Sequence, residues 1–186
     1  DLLGRKIAKV DEVGISSYIK DKRILVTGAA GSIGSELSRQ IVSYSPSHIV
    51  LLDRNENHLY FLEVELKTKY PDLKIITVIG DITDELLLRY LFSTHNPQLV
   101  FHSAAYKHVP LMEDNPTAAV ENNILGTQAM INISDEFNVE RFIFISSDKA
   151  LKPISIMGCS KRIGEMILQV KAQSSKTKFI SVRFGN

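Results

Sequence analysis

With 186 residues, 44% of them hydrophobic, and a formal net charge of +1, the chain has apolar material for one ordinary α/β core and no signature of disorder. The near-balanced charge leaves no basic stripe to neutralise phosphates, which argues against nucleic acid as a partner. A single cysteine, Cys159, excludes an internal disulfide, and no paired Cys/His spacing suggests a metal, so a reducing cytoplasmic setting fits best.

In chain order, residues 1–20 are polar and weakly periodic, with Gly4 and Gly14, and read as a lead-in segment before a single domain over 21–186. Apolar, β-branched runs then recur at Ile24 to Thr27, His48 to Asp53, Lys74 to Ile79, Leu99 to His102, Arg141 to Ile145 and Phe179 to Phe184. Helical spacing fills the intervals, at Ser32 to Tyr44, Asn57 to Tyr70, Thr83 to His95, Pro116 to Phe137 and Met157 to Ala172. Pro71, Pro97 and Pro116 stand where the chain should change direction, and Thr83 or Asp84 suits a helix cap. The six strands are continuous apolar runs rather than alternating ones, as expected of strands covered on both faces. That pattern predicts a three-layer, doubly wound parallel sheet of order 3-2-1-4-5-6. No apolar run approaches membrane-spanning length and no signal-peptide order is present, so the chain reads as soluble. It begins without Met and stops at Asn186, just after a strand-like run, which reads as a fragment cut at both ends.

Directly after the first strand comes Thr27-Gly28-Ala29-Ala30-Gly31-Ser32-Ile33-Gly34, opening the first long helix. Glycines here permit a tight turn, close approach to a pyrophosphate at the positive helix end, and, at Gly34, close packing of helix on strand. A plain strand-to-helix loop is the alternative, but strand, turn, helix and a later acidic residue agree. Asp53, closing the second strand, can bind both ribose hydroxyls of NAD and repel the phosphate of NADP. Arg54 beside it could instead clamp a 2′-phosphate, so NAD is favoured and NADP stays possible.

The GxxGxxG spacing resembles that of the short-chain dehydrogenase/reductases, whose fold is Rossmann-like. By that resemblance Asp81 and Ile82, after the third strand, would flank the adenine, with a helix-capping Asp as the alternative. Ala104 and Ala105, in His102-Ser103-Ala104-Ala105, resemble the superfamily's Ala-rich motif beside the flat cofactor. Superfamily members carry a Tyr-x-x-x-Lys pair on the helix after the fifth strand. Here Met157 stands in the Tyr position before Lys161, and a thioether has no transferable proton.

Ser147, Asp148 and Lys149 follow the fifth strand, with Pro153 beyond. Together with Ala104-Ala105-Tyr106-Lys107-His108-Val109-Pro110 and Met157-Gly158-Cys159-Ser160-Lys161-Arg162, they resemble the bacterial UDP-N-acetylglucosamine 4,6-dehydratases, in the subgroup with Met for Tyr. The resemblance implies oxidation at C4, loss of water across C5 and C6, and hydride return to C6. It gives Ser147 the C4 hydroxyl to orient and Asp148 acid/base work at the C4 hydroxyl or the departing C6 oxygen. Lys149 becomes the C5 base, which requires burial or a cationic neighbour to lower its pKa. Lys161 binds the nicotinamide ribose, and Asn123, in Asn-x-x-Gly-Thr, holds the active-site lysine helix. Lys107 and His108 touch the UDP-sugar or form a plain surface turn, and Asn186 lies where the family chain enters its substrate domain.

The resemblance further implies a homo-oligomer and a membrane anchor in an N-terminal region missing here, to which Asp1-Leu2-Leu3-Gly4-Arg5 would lead. Capping by Ser147 and Asp148, solvated lysines and a core Met157 are the plain structural alternatives. A 4-epimerase or 4-reductase, or a non-catalytic NAD-binding module, are the other functional readings.

Overall fold

The computed structural model describes residues 11–185; Asn186 and the Asp1 to Arg5 segment lie outside the described residues. Six parallel strands form one sheet in the order β3-β2-β1-β4-β5-β6, as the sequence pattern predicts. They are β1 Arg23–Thr27, β2 His48–Asp53, β3 Lys74–Ile79, β4 Leu99–His102, β5 Arg141–Ser147 and β6 Lys178–Phe184. The register aligns Leu25 with Val50 on one side and with Val100 on the other.

Residue alternation explains why the strands look continuously apolar. Leu25, Val50, Leu52, Val100, Phe142 and Phe144 project to one face. There they meet α4 (Glu85–His95), α7 (Thr127–Glu136) and α8 (Ile156–Ala172). Ile24, Val26, Ile49, Leu51, Ile75 and Leu99 project to the other, against α2 (Ser32–Val42) and α3 (Glu56–Lys69). β1, β2 and β4 therefore feed two cores, the layered solution that buries both faces of a parallel sheet. β6 departs from this pattern, with Ile180 and Phe184 exposed, because it is an edge strand with one neighbour.

Two sequence expectations are corrected here. Part of the lead-in segment is a helix, α1 (Glu12–Ile19), capped by the Asp11 carboxylate accepting from Gly14 N–H, and its Ile19 is buried in the second core. Its weak periodicity hid it, since few of its positions face the core. The single helix expected from Pro116 to Phe137 is three segments: α6 (Pro116–Ala119), a π-helical stretch over Val120–Gly126, and α7. A short α5 (Val109–Asp114) precedes them. At α4 it is Asp84, accepting from Leu87 N–H, that caps the helix, not Thr83. Among the described residues no helix is long and apolar enough to cross a membrane.

Candidate active site

β1 lies between β2 and β4, so the chain leaves β1 toward one side of the sheet and β4 toward the other, and a crevice opens at the strand ends. The glycine-rich turn floors it. Gly28 has φ +67, and a Cβ there would lie 2.6 Å from Ala104 N. A Cβ on Gly34 would collide with the Gly28 carbonyl, so these two glycines are required by packing. Gly31 differs: an added Cβ meets only Gly28 O, at 3.3 Å, and otherwise open space. Its bareness serves the room above the turn.

Gly28, Ala30, Gly31, Asp53, Asp81, Ile82, Ala104 and Ala105 line this groove, together with Arg54. Asp53 Oδ2 accepts from Ala30 N–H at 2.9 Å and Oδ1 from Asn55 N–H at 2.8 Å. Each oxygen retains a lone pair for a ribose hydroxyl. Asp81 Oδ1 accepts from Thr83 N–H at 3.0 Å, organising the turn before α4, while its Oδ2 faces Arg54 Nη1 at 3.5 Å. The lining fits a dinucleotide: a bare turn at a helix N-terminus for the pyrophosphate, a carboxylate for the ribose, and small residues for flat rings.

Some expected cofactor residues stand elsewhere. Thr27 is fully buried, its Oγ1 2.6 Å from His102 Nδ1, and it does not line the groove. Ile33 is exposed on α2, and Ser32 Oγ accepts from Lys107 Nζ at 3.1 Å. Lys107 thus reaches the glycine turn from the loop after β4. His108, at the N-cap of α5, is exposed and makes no side-chain cap bond.

At the end of β5 the backbone enters a short 3₁₀ turn, Asp148–Ala150, capped by Ser147. Ser147 Oγ accepts from Lys149 N–H at 3.2 Å and donates to Asp148 Oδ1 at 3.0 Å. Lys149 Nζ lies 3.4 Å from the same oxygen. The Ser147 hydroxyl, and after it the Lys149 ammonium, hold the Asp148 carboxyl below its usual range. Lys149 is exposed, and its neighbour is an anion; the burial or cationic neighbour expected for a base is not what the fold provides here. Both charged side chains are exposed to solvent at this strand end.

The desolvated lysine is Lys161, one turn inside α8. Burial pushes it down to about 7, against a smaller opposing pull from Glu165, and its ammonium sits 4.3 Å from the Phe144 ring centroid. Met157 is buried with Met112 and Ala119, away from solvent.

Asn123 joins these parts. The π-helical stretch carries it to where its Nδ2 donates to Ser160 Oγ and to Tyr106 O, both at 3.0 Å, and its Oδ1 accepts from Tyr106 N–H at 2.8 Å. A wider helical turn re-aims a side chain in this way.

Three groups escaped sequence reading. Glu165, almost wholly buried, accepts from Ser146 Oγ at 2.7 Å, Arg162 at 3.0 Å, and both Nε and Nη2 of Arg183 at 2.8 and 2.6 Å. Burial pushes its carboxyl up, but these donors outweigh it and hold it at about 2. Tyr106 stacks under Arg54, with the guanidinium carbon 4.3 Å from its ring centroid. His102, between Thr27 and Thr127, is pushed down to about 3 by burial and by the nearby Lys161 charge. The apolar spacing of α8 gave a hint of Glu165, a charge on its buried face; the other two are contacts between distant segments.

A parallel sheet of this order, with a glycine turn at the first crossover, defines a Rossmann-like fold of the short-chain dehydrogenase/reductase class. More particularly, residues 24–186 match the model of the polysaccharide biosynthesis protein family, and the chain belongs to that family. It is 46% identical, over its whole length, to the probable polysaccharide biosynthesis protein EpsC of Bacillus subtilis, of which it spans 31%. It is 30% identical over 89% of its length to a UDP-N-acetylglucosamine 4,6-dehydratase (inverting) of Campylobacter jejuni, of which it spans 49%. Pen from Bacillus thuringiensis, solved by X-ray diffraction, superposes with a TM-score of 0.84 at 34% identity, covering 91% of this chain and 53% of that one. The chain therefore spans from about 31% to about half of the length of these relatives.

Proposed function

We propose that this chain is the NAD-binding, chemistry-bearing part of a UDP-N-acetylglucosamine 4,6-dehydratase in bacterial surface-polysaccharide synthesis. The observation that carries the reading is the pairing of a proton-inert, buried Met157 with a Ser147-Asp148-Lys149 cluster linked by hydrogen bonds at the end of β5. An oxidation that needed only one proton acceptor would keep a phenol at position 157; dehydration has three proton tasks and uses other groups.

Asp53, the glycine turn and Ala104-Ala105 hold NAD in the groove. The chemistry that NAD would supply there is a hydride relay from C4 to C6 with no net consumption of cofactor. Ser147 orients the C4 hydroxyl. Asp148, kept ionised by its two neighbours, takes that hydroxyl's proton and later protonates the C6 oxygen as it leaves as water. Lys149 removes the C5 proton made acidic by the C4 ketone and, after exchange with solvent, returns a proton to C5 as hydride adds to C6, a role that requires desolvation by the docked sugar. Lys161 places positive charge behind the reacting end of the groove, and Asn123 positions its helix through Ser160. Lys107 and His108, with Asn186, serve the nucleotide-sugar side. The full-length protein is anchored at the inner membrane through a region outside this chain, with this domain in the cytoplasm, and self-associates; these features rest on the motif resemblance.

The test is incubation of the full-length protein with UDP-N-acetylglucosamine in deuterated water. The expected product is lighter by one water, carries deuterium at C5, and forms without net consumption of cofactor. Asp148→Asn and Lys149→Met should each abolish it. A product that keeps its C6 hydroxyl and differs only at C4 would make the enzyme an epimerase; absence of any turnover in full-length protein that binds NAD would leave a binding module.

A further inference from the structure

Arg54 follows Asp53 at the tip of β2, yet its guanidinium touches residues on both sides of the cofactor groove. Toward β3 it meets Asp81 Oδ2 at 3.5 Å; in the other direction it lies 4.3 Å from the Tyr106 ring, on the loop after β4. Since β1 lies between β2 and β4, a side chain that runs from the tip of β2 to the loop after β4 must pass over the turn leaving β1, which is the floor of the groove.

The two ends of this bridge differ in how firmly they are held. Tyr106 is fixed: Asn123 binds both its backbone N–H and its carbonyl, and its ring packs against the Met112, Ala119 and Met157 cluster. Arg54 is a long, half-exposed side chain with one long ion-pair contact and one stacked face, interactions weak enough to open and re-form. We propose that Arg54 is a latch that closes over the bound dinucleotide onto Tyr106 and Asp81 and slows its release. The proposal rests on the dinucleotide reading above and deepens it. Its chemical sense lies in the redox balance of that reaction: hydride leaves C4 and returns to C6, so the cofactor is regenerated in place and exchange with solvent gains nothing.

The same position in sequence suits a clamp for the 2′-phosphate of NADP, but the surroundings oppose it. Asp81 faces the guanidinium and Asp53 lines the same groove, and both carboxylates would repel a phosphate.

The experiment measures release of NADH and NADPH from the full-length protein by loss of their fluorescence after a chase with excess unlabelled NAD. Arg54→Met should speed release of NADH about tenfold and Tyr106→Leu by less, with the double variant no faster than Arg54→Met alone, because Arg54→Met already removes the Tyr106 contact along with that to Asp81. Arg54→Lys, which keeps the charge and loses the flat stacking face, should fall between. Unchanged NADH release from Arg54→Met, or an acceleration confined to NADPH, would overturn the latch while leaving dinucleotide binding intact. Failure of the unaltered protein to bind NADH would instead overturn the dinucleotide reading, and the latch with it. Arg54→Met alters an exposed side chain, so its unfolding temperature should match that of the unaltered protein, and this control keeps the result interpretable if Tyr106→Leu folds poorly.

Discussion

Asn123 donates to the hydroxyl of Ser160, the residue immediately before Lys161, and with the same amide group closes both backbone positions of Tyr106. One side chain thereby ties the π-helical stretch to the lysine helix and to the loop that bounds the groove. Asn123→Leu keeps the volume and leaves the Tyr106 N–H and carbonyl without their partners. Unsatisfied buried polar groups cost about 1–3 kcal/mol each, and for these two partly buried groups the low end applies, so a loss of about 2 kcal/mol is expected. Thermal unfolding should register it as a fall of roughly 4–8 °C for a chain of this size; an unchanged transition would remove Asn123 from this tying role.

Lys161 sets function against stability. Its folded pKa, about 7, lies below that of a free lysine, so the unfolded chain binds the proton more tightly and stability should rise as pH increases from about 7 toward 10.5. Lys161→Met removes that slope and relieves the burial of an ammonium, raising stability at pH 7 by about 1–3 kcal/mol. Turnover by the full-length variant should fall by about 100-fold or more. Denaturant titrations of both proteins at pH 7 and pH 9 would show the difference; parallel curves would contradict it.

His102 acts at the other end of the pH scale. It is neutral in the fold, with a pKa of about 3 against 6.5 when free, so the unfolded chain takes up a proton as pH falls. Stability present above pH 6.5 should therefore be lost between about 6.5 and 3, at up to about 1.4 kcal/mol per pH unit. His102→Asn should be less stable at pH 7, where the Thr27 and Thr127 hydroxyls lose their partner, and should show a flatter decline into acid. Urea midpoints at pH 7, 5.5 and 4 decide the point.

The three glycines of the turn should separate folding from binding. Gly34→Ala places a methyl group into the Gly28 carbonyl and should lower the unfolding temperature by several degrees. Gly31→Ala meets only one backbone oxygen and should leave the unfolding temperature within roughly 2 °C, while NAD affinity, read by isothermal titration calorimetry, falls by about tenfold or more. A Gly31→Ala protein that binds NAD normally would show that the space over the turn is not used.

Most of the fold was legible because its signals are local. The strand runs, the helical spacing between them and the glycine turn each occupy a short window, and the parallel order 3-2-1-4-5-6 matches the expectation drawn from them. The misses have a common cause. α1 shows little periodicity of its own and is held by contact of Ile15, Tyr18 and Ile19 with a distant core, and the π-helical stretch keeps the apolar spacing of a helix while changing its hydrogen bonding.

The same division runs through the site. Met157 in place of a phenol, Asp148 beside Lys149, and Gly28, Gly31 and Gly34 at their spacing were determined by sequence alone, because each is a matter of which atoms are present. Which lysine is desolvated was decided only by the tertiary structure: the sequence pointed to Lys149, and packing buried Lys161 against Phe144 while leaving Lys149 exposed at the strand end beside an anion. Desolvation depends on everything that surrounds a group, and for Lys161 those surroundings come from β5 as well as its own helix. The pairing of Arg54 with Tyr106 is of the same kind, since two residues on different strand-end loops meet only when the sheet sets β1 between them.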